Sequence, residues 1–222
     1  MPGSIINKAK SLSVLGALIC SIAASSASAA LITQNPFDGG DAFQSTNSLG
    51  LQNGDTFTLG GSSTVTGFGW WGSEVADTTG FVVRLFASLG GSAVPVFSCG
   101  FDLVACDGSV RQFSTVLSDS GSNPLSGFAL DLTSTLSLVG GSYLLSISHE
   151  EEEWYWSSTT EGDGLSFIRG DDADAWNETQ PGLAFTVLGS RDTTSVPEPG
   201  TLALLGLGGL SALMLRRRKQ TA

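Results

Sequence analysis

The chain has few of the groups on which enzymes depend. Of its 222 residues only 14% are charged, and His149 is the only histidine. It has no Gly-x-Ser-x-Gly elbow of a serine hydrolase and no Gly-Lys-Ser/Thr phosphate loop. Four glutamates follow His149, where a zinc-protease helix would place a second histidine. We therefore predict a non-enzymatic protein with no catalytic residues, in which His149 lies solvated at the end of a strand.

A glycosidase is a catalytic alternative that this composition leaves open. Such an enzyme needs only two carboxyl groups at a set separation across the scissile bond. The candidates are the four glutamates at 150–153 and Asp171. Since a sequence does not give their separation, this hypothesis depends on composition alone.

Positive charge is also scarce in the middle of the chain. Six of the ten cations are terminal, namely Lys8, Lys10 and residues 216–219. Between residues 30 and 195 only four arginines stand against 20 acidic side chains, which gives a net charge of −16. So acidic a surface repels nucleic acids and anionic lipids. Nucleic acid is therefore excluded as a partner, whereas divalent cations and neutral glycans are compatible.

Helical periodicity is missing from the middle of the chain. Between residues 31 and 194, short β-branched and aromatic runs alternate with Gly, Asn, Asp and Ser. Ten segments are predicted strands: 56–59, 64–71, 81–88, 94–98, 110–117, 127–132, 142–148, 153–157, 165–169 and 183–188. This regular spacing of short strands and turn residues predicts one all-β domain over residues 30–192, a two-sheet antiparallel sandwich that is jelly-roll-like.

The N-terminal residues have the three parts of a secretory signal peptide. Lys8 and Lys10 precede an apolar run at 12–24, and the small residues Ala27 and Ala29 follow it. We predict a signal peptide over residues 1–29, with cleavage by signal peptidase after Ala29 or Ala30. An uncleaved anchor is the alternative, but the apolar run is shorter than the roughly 20 residues that a span prefers.

Cysteine is rare, and cleavage of the signal peptide during export would lower the number of cysteines. Removing the signal peptide removes Cys20 and leaves Cys99 and Cys106. An even pair in an oxidising compartment usually forms a disulfide. We predict this bond, and because the loop that it closes is short it should stabilise the fold by only about 2–3 kcal/mol.

The C-terminal residues contain a second hydrophobic segment. Residues 201–215 carry no charge and are followed at once by Arg216, Arg217, Arg218 and Lys219. Basic residues mark the cytoplasmic side of a span and stop its transfer. We predict one transmembrane helix at 201–215 and a basic cytoplasmic tail at 216–222.

A proline-rich linker at 193–200 precedes this span, and the whole tail resembles a known sorting signal. The linker contains Pro197, Glu198 and Pro199, which disfavour a helix or a central strand and so predict an extended, protease-accessible segment. The order of Pro-Glu-Pro motif, apolar helix and basic tail resembles the PEP-CTERM sorting signal of exported bacterial proteins. A plain single-pass anchor is the alternative.

The resemblance implies a processing enzyme and a location. An exosortase, a membrane-embedded transpeptidase-like protease with a cysteine nucleophile, would recognise the motif and cut near it. The precursor would be anchored in the inner membrane of a Gram-negative-type bacterium, and its product would reach the cell surface or the extracellular polymer. Such tails occur in bacteria that make exopolysaccharide and biofilm, which makes exopolysaccharide an expected partner.

The tryptophans of the middle region allow two interpretations. Trp70 and Trp71 are adjacent, so on a strand they face opposite sides and at least one should lie outside the core. Trp154 and Trp156 share one face, and with Trp176 they are candidates for stacking against sugar rings. The alternative is that these large rings fill or seal the core of the sandwich.

Clustered carboxylates allow a calcium hypothesis. Asp171, Asp172 and Asp174 are candidate ligands, with Asp163 and Glu178 nearby in the sequence. Their spacing does not fit an EF-hand loop, and a solvated acidic loop is the alternative. No other cofactor is expected.

The sequence thus predicts an exported surface or extracellular-matrix protein with a structural or adhesive, non-enzymatic domain. The alternatives are a glycan- or calcium-binding sandwich module and, less favoured, a carboxylate-dependent glycosidase.

Overall fold

The computed structural model of the chain describes residues 29–87, 94–100 and 109–192. These residues form thirteen strands and two single-turn 3₁₀ helices, Asn47–Leu49 and Thr78–Gly80. The strands are β1 (Ala29–Gln34), β2 (Ala42–Gln44), β3 (Gln52–Leu59), β4 (Ser63–Ser73), β5 (Phe81–Phe86), β6 (Phe97–Gly100), β7 (Val110–Ser118), β8 (Pro124–Leu138), β9 (Gly141–His149), β10 (Tyr155–Ser157), β11 (Ser166–Arg169), β12 (Asn177–Thr179) and β13 (Phe185–Arg191).

The strands form two antiparallel sheets. Sheet 1 has the order β7-β8-β4-β13-β1, and β10 and β2 continue it beside the last residues of β4. Sheet 2 has the order β12-β11-β3-β9-β5-β6. The predicted two-sheet antiparallel sandwich with almost no helix is confirmed, and its jelly-roll character stays a prediction.

Each of the ten predicted strands overlaps an observed one, and three observed strands were not predicted. Two of these, β2 and β12, have only three residues each. The third, β1, begins at Ala29, inside the segment assigned to the signal peptide. β8 is much longer than predicted because its Ser- and Thr-rich second half pairs with the start of β4.

An aromatic cluster lies between the sheets. Phe81, at the start of β5, packs edge-to-face against Trp70, Phe128 and Trp154, with ring centroids 4.9–5.2 Å apart. All four side chains are buried. Burying one such ring stabilises the fold by about 1.5–3 kcal/mol, so this cluster is a major part of the hydrophobic contribution.

Burial alternates along β4 except at Gly67 and Phe68, which are both buried, and the alternation is lost in β5. Trp70 is fully buried and Trp71 is half-buried, as predicted for adjacent residues on a strand. In β5 the residues of both faces are buried. Phe81, Val83 and Leu85 belong to the interior core, whereas Phe86 packs on the outer face of sheet 2. There it forms a second small core with Leu144, Phe167 and Trp176.

Glycine allows the close contact between β4 and the segment that leads into β10. A Cβ atom on Gly72 would lie 2.6 Å from the indole Cζ2 of Trp154 and would also collide with the Tyr155 carbonyl oxygen. A Cβ on Gly69, in the same strand, would make only ordinary contacts of 3.5 Å and more. Alanine substitutions at the two glycines therefore distinguish the steric effect of an added Cβ atom from the general effect of replacing glycine in a strand.

We predict that Gly72→Ala lowers the free energy of unfolding by about 1–3 kcal/mol, since the core must shift to admit one methyl group. Gly69→Ala is the matched control, and it should be neutral or slightly stabilising because it restricts the unfolded chain. Urea denaturation of the full chain, followed by tryptophan fluorescence, measures both. Equal effects at the two positions would contradict the steric account.

Candidate functional site

Most of the predicted sorting machinery lies outside the described residues. This holds for the signal peptide up to residue 28, the linker at 193–200, the helix at 201–215 and the basic tail at 216–222. It also holds for Cys106, so the predicted disulfide stays a prediction, while Cys99 is buried in β6. Within the described residues, no helix has the length and apolarity needed to cross a membrane.

The two ends of the described chain leave the sandwich side by side. β1 and β4 both pair with β13, so that Ala29 lies opposite Gly189 and Ser63 lies opposite Arg191. The Asp192 N–H then donates to the Ser62 carbonyl at 2.9 Å. We call this the terminal end. It consists of Ala29, the turns 60–62 and 139–140, the described residues 94–96 that lead into β6, and residues 191–192.

The opposite end, which we call the acidic end, collects most of the described carboxylates. It consists of the connections 35–41, 45–51, 74–80, 119–123, 150–154 and 170–176, which adjoin the other ends of the same strands. Twelve acidic residues lie there: Asp38, Asp41, Glu74, Asp77, Asp119, Glu150, Glu151, Glu152, Glu153, Asp171, Asp172 and Asp174. These connections contain no lysine or arginine. Negative charge is therefore concentrated at this end of the sandwich.

The structure places two of the three candidate sugar-stacking tryptophans in the core. Trp154 and Trp156 have 0% exposure, with ring centroids 6.0 Å apart, and the Trp156 indole N–H donates to the Ala184 carbonyl. Neither ring has a free face for a sugar. The sugar-stacking hypothesis is therefore wrong for these two residues, because both indoles point inward while Tyr155 points out.

Trp176 is also largely covered. It is 9% exposed, and the guanidinium of Arg169 lies 4.4 Å from its ring centroid. The same guanidinium donates to the Gln52 side chain at 2.8 Å and to the Asp172 carboxylate at 2.7 Å. Burial lowers the pKa of Arg169, and Asp172 opposes this shift. The arrangement fixes the 170–176 connection onto the outer face of sheet 2.

The candidate calcium ligands have different partners. Asp172 pairs with both Arg84 and Arg169. The Asp171 carboxylate accepts the Ala173 N–H at 2.7 Å, and the Asp174 carboxylate accepts the Asp171 N–H at 3.2 Å. No group of three or more His, Cys, Asp or Glu in the described part of the chain is arranged to hold a metal ion. This geometry does not support a calcium site at Asp171, Asp172 and Asp174.

His149 is buried, at 2% exposure, and not solvated as predicted. It does lie at the end of β9, but it packs edge-to-face on Phe81 with centroids 5.1 Å apart. Its Nδ1 accepts the Glu152 N–H at 3.0 Å, so Nε2 carries the proton and donates to the Asp77 carbonyl at 2.8 Å. Both ring nitrogens thus hold neighbouring loops together.

The glutamates after His149 take part in the same loop contacts. The Glu152 carboxylate accepts the backbone N–H groups of Ala76 and Asp77 at 2.9 and 3.0 Å. Glu150 accepts the Asn47 amide at 2.7 Å. These two carboxylates of the glycosidase hypothesis are therefore engaged in structural hydrogen bonds.

A buried carboxyl group that the sequence analysis did not single out is Asp55. It faces the interior from β3 with 0% exposure and accepts the Leu183 backbone N–H. Its Oδ1 and the Gln34 Oε1 are both buried without a hydrogen-bond partner. Burial raises the pKa of Asp55 to about 7, helped by the charge of Asp163 and opposed by hydrogen bonds, chiefly from the Leu183 N–H.

A small groove is lined in part by Gln34. It has a volume of about 270 Å³ and lies between β1 and β3, where Gln34, Thr56 and Asp163 line it. The Asp163 carboxylate accepts the Thr56 hydroxyl at 3.2 Å and the Leu165 N–H at 3.0 Å. Both oxygens of the Asp163 carboxylate thus already accept a hydrogen bond from within the sandwich.

We predict that Asp55 makes the fold less stable as the pH rises from about 4 to about 7. The folded state keeps the Asp55 proton across this range while the unfolded chain, with an ordinary pKa near 3.8, loses it. The loss is on the order of 4 kcal/mol, from about three pKa units at 1.36 kcal/mol each. Asp55→Asn should remove it and be more stable than the parent protein above pH 7.

Urea denaturation at pH 4 to 8 tests this, with the difference between the Asp55→Asn variant and the parent protein as the readout. Asp131→Asn, an exposed substitution in an Arg111 ion pair, is the control and should keep the parental pH dependence. A difference that does not change with pH would contradict the protonated state of Asp55.

Comparison with known protein families gives a match on the tail. Residues 195–219 match the family model of the PEP-CTERM protein-sorting motif. The matched stretch includes Pro197, Glu198 and Pro199, the apolar segment 201–215 and the basic residues 216–219. No curated protein and no solved structure matches the chain. The chain therefore carries the PEP-CTERM sorting signal of exported exosortase substrates.

Proposed function

We propose that the protein is a surface or extracellular-matrix component whose β-sandwich is delivered by its C-terminal signal and has a structural or adhesive role. The observation that carries this proposal is the position of the motif. The last described strand ends at Arg191, and the matched motif begins at residue 195. A cut near Pro197 would thus release every described strand in one piece.

The same spacing supports the predicted domain organisation. A signal peptide ending at residue 29 would remove at most the first residue of β1, and Ala29 and Ala30 are exposed. The chain would then comprise the sandwich at 30–192, the linker at 193–200, the membrane helix at 201–215 and the basic tail. Both processing steps would leave the core contacts intact.

A non-enzymatic role agrees with how the polar groups are used. The ring nitrogens of His149 and the carboxylates of Glu150 and Glu152 all bind neighbouring loops. Glu161 is held by the Asn35 backbone and side chain, and these hydrogen bonds lower its pKa. Such groups serve to fix loop positions.

An adhesive role is suggested by the acidic end. Its twelve carboxylates disfavour close approach of polyanions and suit uncharged polymers. Exopolysaccharide of neutral composition is therefore the partner class that we propose for the released domain. Deleting the gene should weaken matrix cohesion or surface attachment of the host, and unchanged attachment would contradict this role.

Processing gives the most specific prediction. Intact mass and C-terminal peptide analysis of the protein from its native host should find a terminus near Pro197 when the exosortase is present. In a host without the enzyme, the chain should end at Ala222. Glu198→Gln should reduce processing, since it alters the Pro-Glu-Pro motif.

Glu178→Gln is the matched control, because Glu178 is an exposed glutamate of β12 outside the matched stretch. It should be processed like the parent protein. A chain that always ends at Ala222 would make the tail a plain single-pass anchor.

A further inference from the structure

We propose that the terminal end of the sandwich faces the lipid surface of the membrane in the exported precursor, with the acidic end directed away from it. This inference depends on the proposed membrane anchoring by residues 201–215. It adds an interaction surface and its partner, an anionic phospholipid bilayer.

The position of the last strand supplies the first argument. β13 delivers the chain to Asp192 at the terminal end, where the Asp192 N–H binds the Ser62 carbonyl at 2.9 Å. The Asp192 carboxylate also accepts the Thr64 hydroxyl at 3.0 Å. The segment that leads to the membrane therefore starts from a fixed point on this end.

The length of the linker supplies the second argument. From Asp192 to Thr201 are nine residue steps, which reach at most about 32 Å when fully extended. β4 runs from the terminal end to the acidic end and contains 11 residues, so it spans about 34 Å. A linker of that length therefore does not reach past the acidic end and its loops. This excludes the inverted orientation, in which the acidic end would face the membrane.

The charge distribution supplies the third argument. The described residues of the terminal end carry only Arg191 and Asp192, which have opposite signs. The acidic end carries twelve carboxylates, and of these Asp172 is paired with Arg84 and Arg169. An anionic headgroup surface repels the acidic end and not the terminal end. This repulsion also disfavours the orientation in which the sandwich lies on its side.

The terminal end is also partly apolar. Val94, Val96 and Val139 are exposed at 83%, 48% and 70%. Val139 lies in the β8–β9 turn, and the other two lie in the connection that returns from β5 to β6. Uncharged turns with exposed valines suit the interfacial region of a bilayer, where burial of apolar surface is favourable.

The test uses the full chain reconstituted in phosphatidylethanolamine and phosphatidylglycerol vesicles that contain a headgroup-quencher lipid. A fluorophore is attached to Cys at Ser62→Cys on the terminal end or at Ser120→Cys on the acidic end, both exposed serines in turns. Val139→Cys is a second terminal-end variant. The unsubstituted chain, treated in the same way, gives the background from native cysteines.

We expect strong quenching at positions 62 and 139 and little loss of fluorescence at position 120. Equal quenching at both ends, or stronger quenching at position 120, would overturn the proposed orientation while leaving the anchoring intact. Flotation of the vesicles separates the two failures. If the chain does not float with the vesicles, the anchoring fails, and the orientation fails with it.

Discussion

The pairing of β13 with β1 and β4 is the constraint on which the rest of the molecule depends. It brings the first and last strands of the described chain together in sheet 1, the sheet that contributes Trp70 and Phe128 to the aromatic cluster of the interior. Because both strands are antiparallel to β13, the chain enters and leaves at one end. The sorting signal can then follow the domain directly, with only the residues after Asp192 between fold and motif.

A second consequence concerns the polar residues. The chain termini and two short turns, 60–62 and 139–140, lie at the terminal end, and six connections of five to seven residues lie at the acidic end. There the carboxylates are used to hold loops, as Glu152 does at residues 76 and 77 and as Asp172 does between two arginines. The acidity that the sequence shows as a net charge is, in the structure, concentrated at one end.

The sequence predicted the architecture and the tail well, because both depend on local patterns. Strand alternation predicted that Trp70 and Trp71 face opposite sides, and the structure buries Trp70. The order of motif, apolar segment and arginines identified the signal. The sequence did not distinguish tryptophans of the core from tryptophans that bind a ligand. Trp154 and Trp156 are two residues apart and share one strand face whether that face is buried or exposed. The burial of His149 and Asp55 was missed because their partners Asp77 and Leu183 are 72 and 128 residues away. Only the folded topology brings these groups together.

The central claim is that the sandwich is complete at Asp192 and that the residues beyond it carry the sorting information. The most direct measurement is the distribution of a chain that ends after Asp192 between the cell envelope and the medium of its native host. The account predicts that this chain is exported, has the unfolding midpoint of the processed protein and is lost from the envelope. Retention of the truncated, folded chain at the envelope would contradict it, because the sandwich itself would then determine the location.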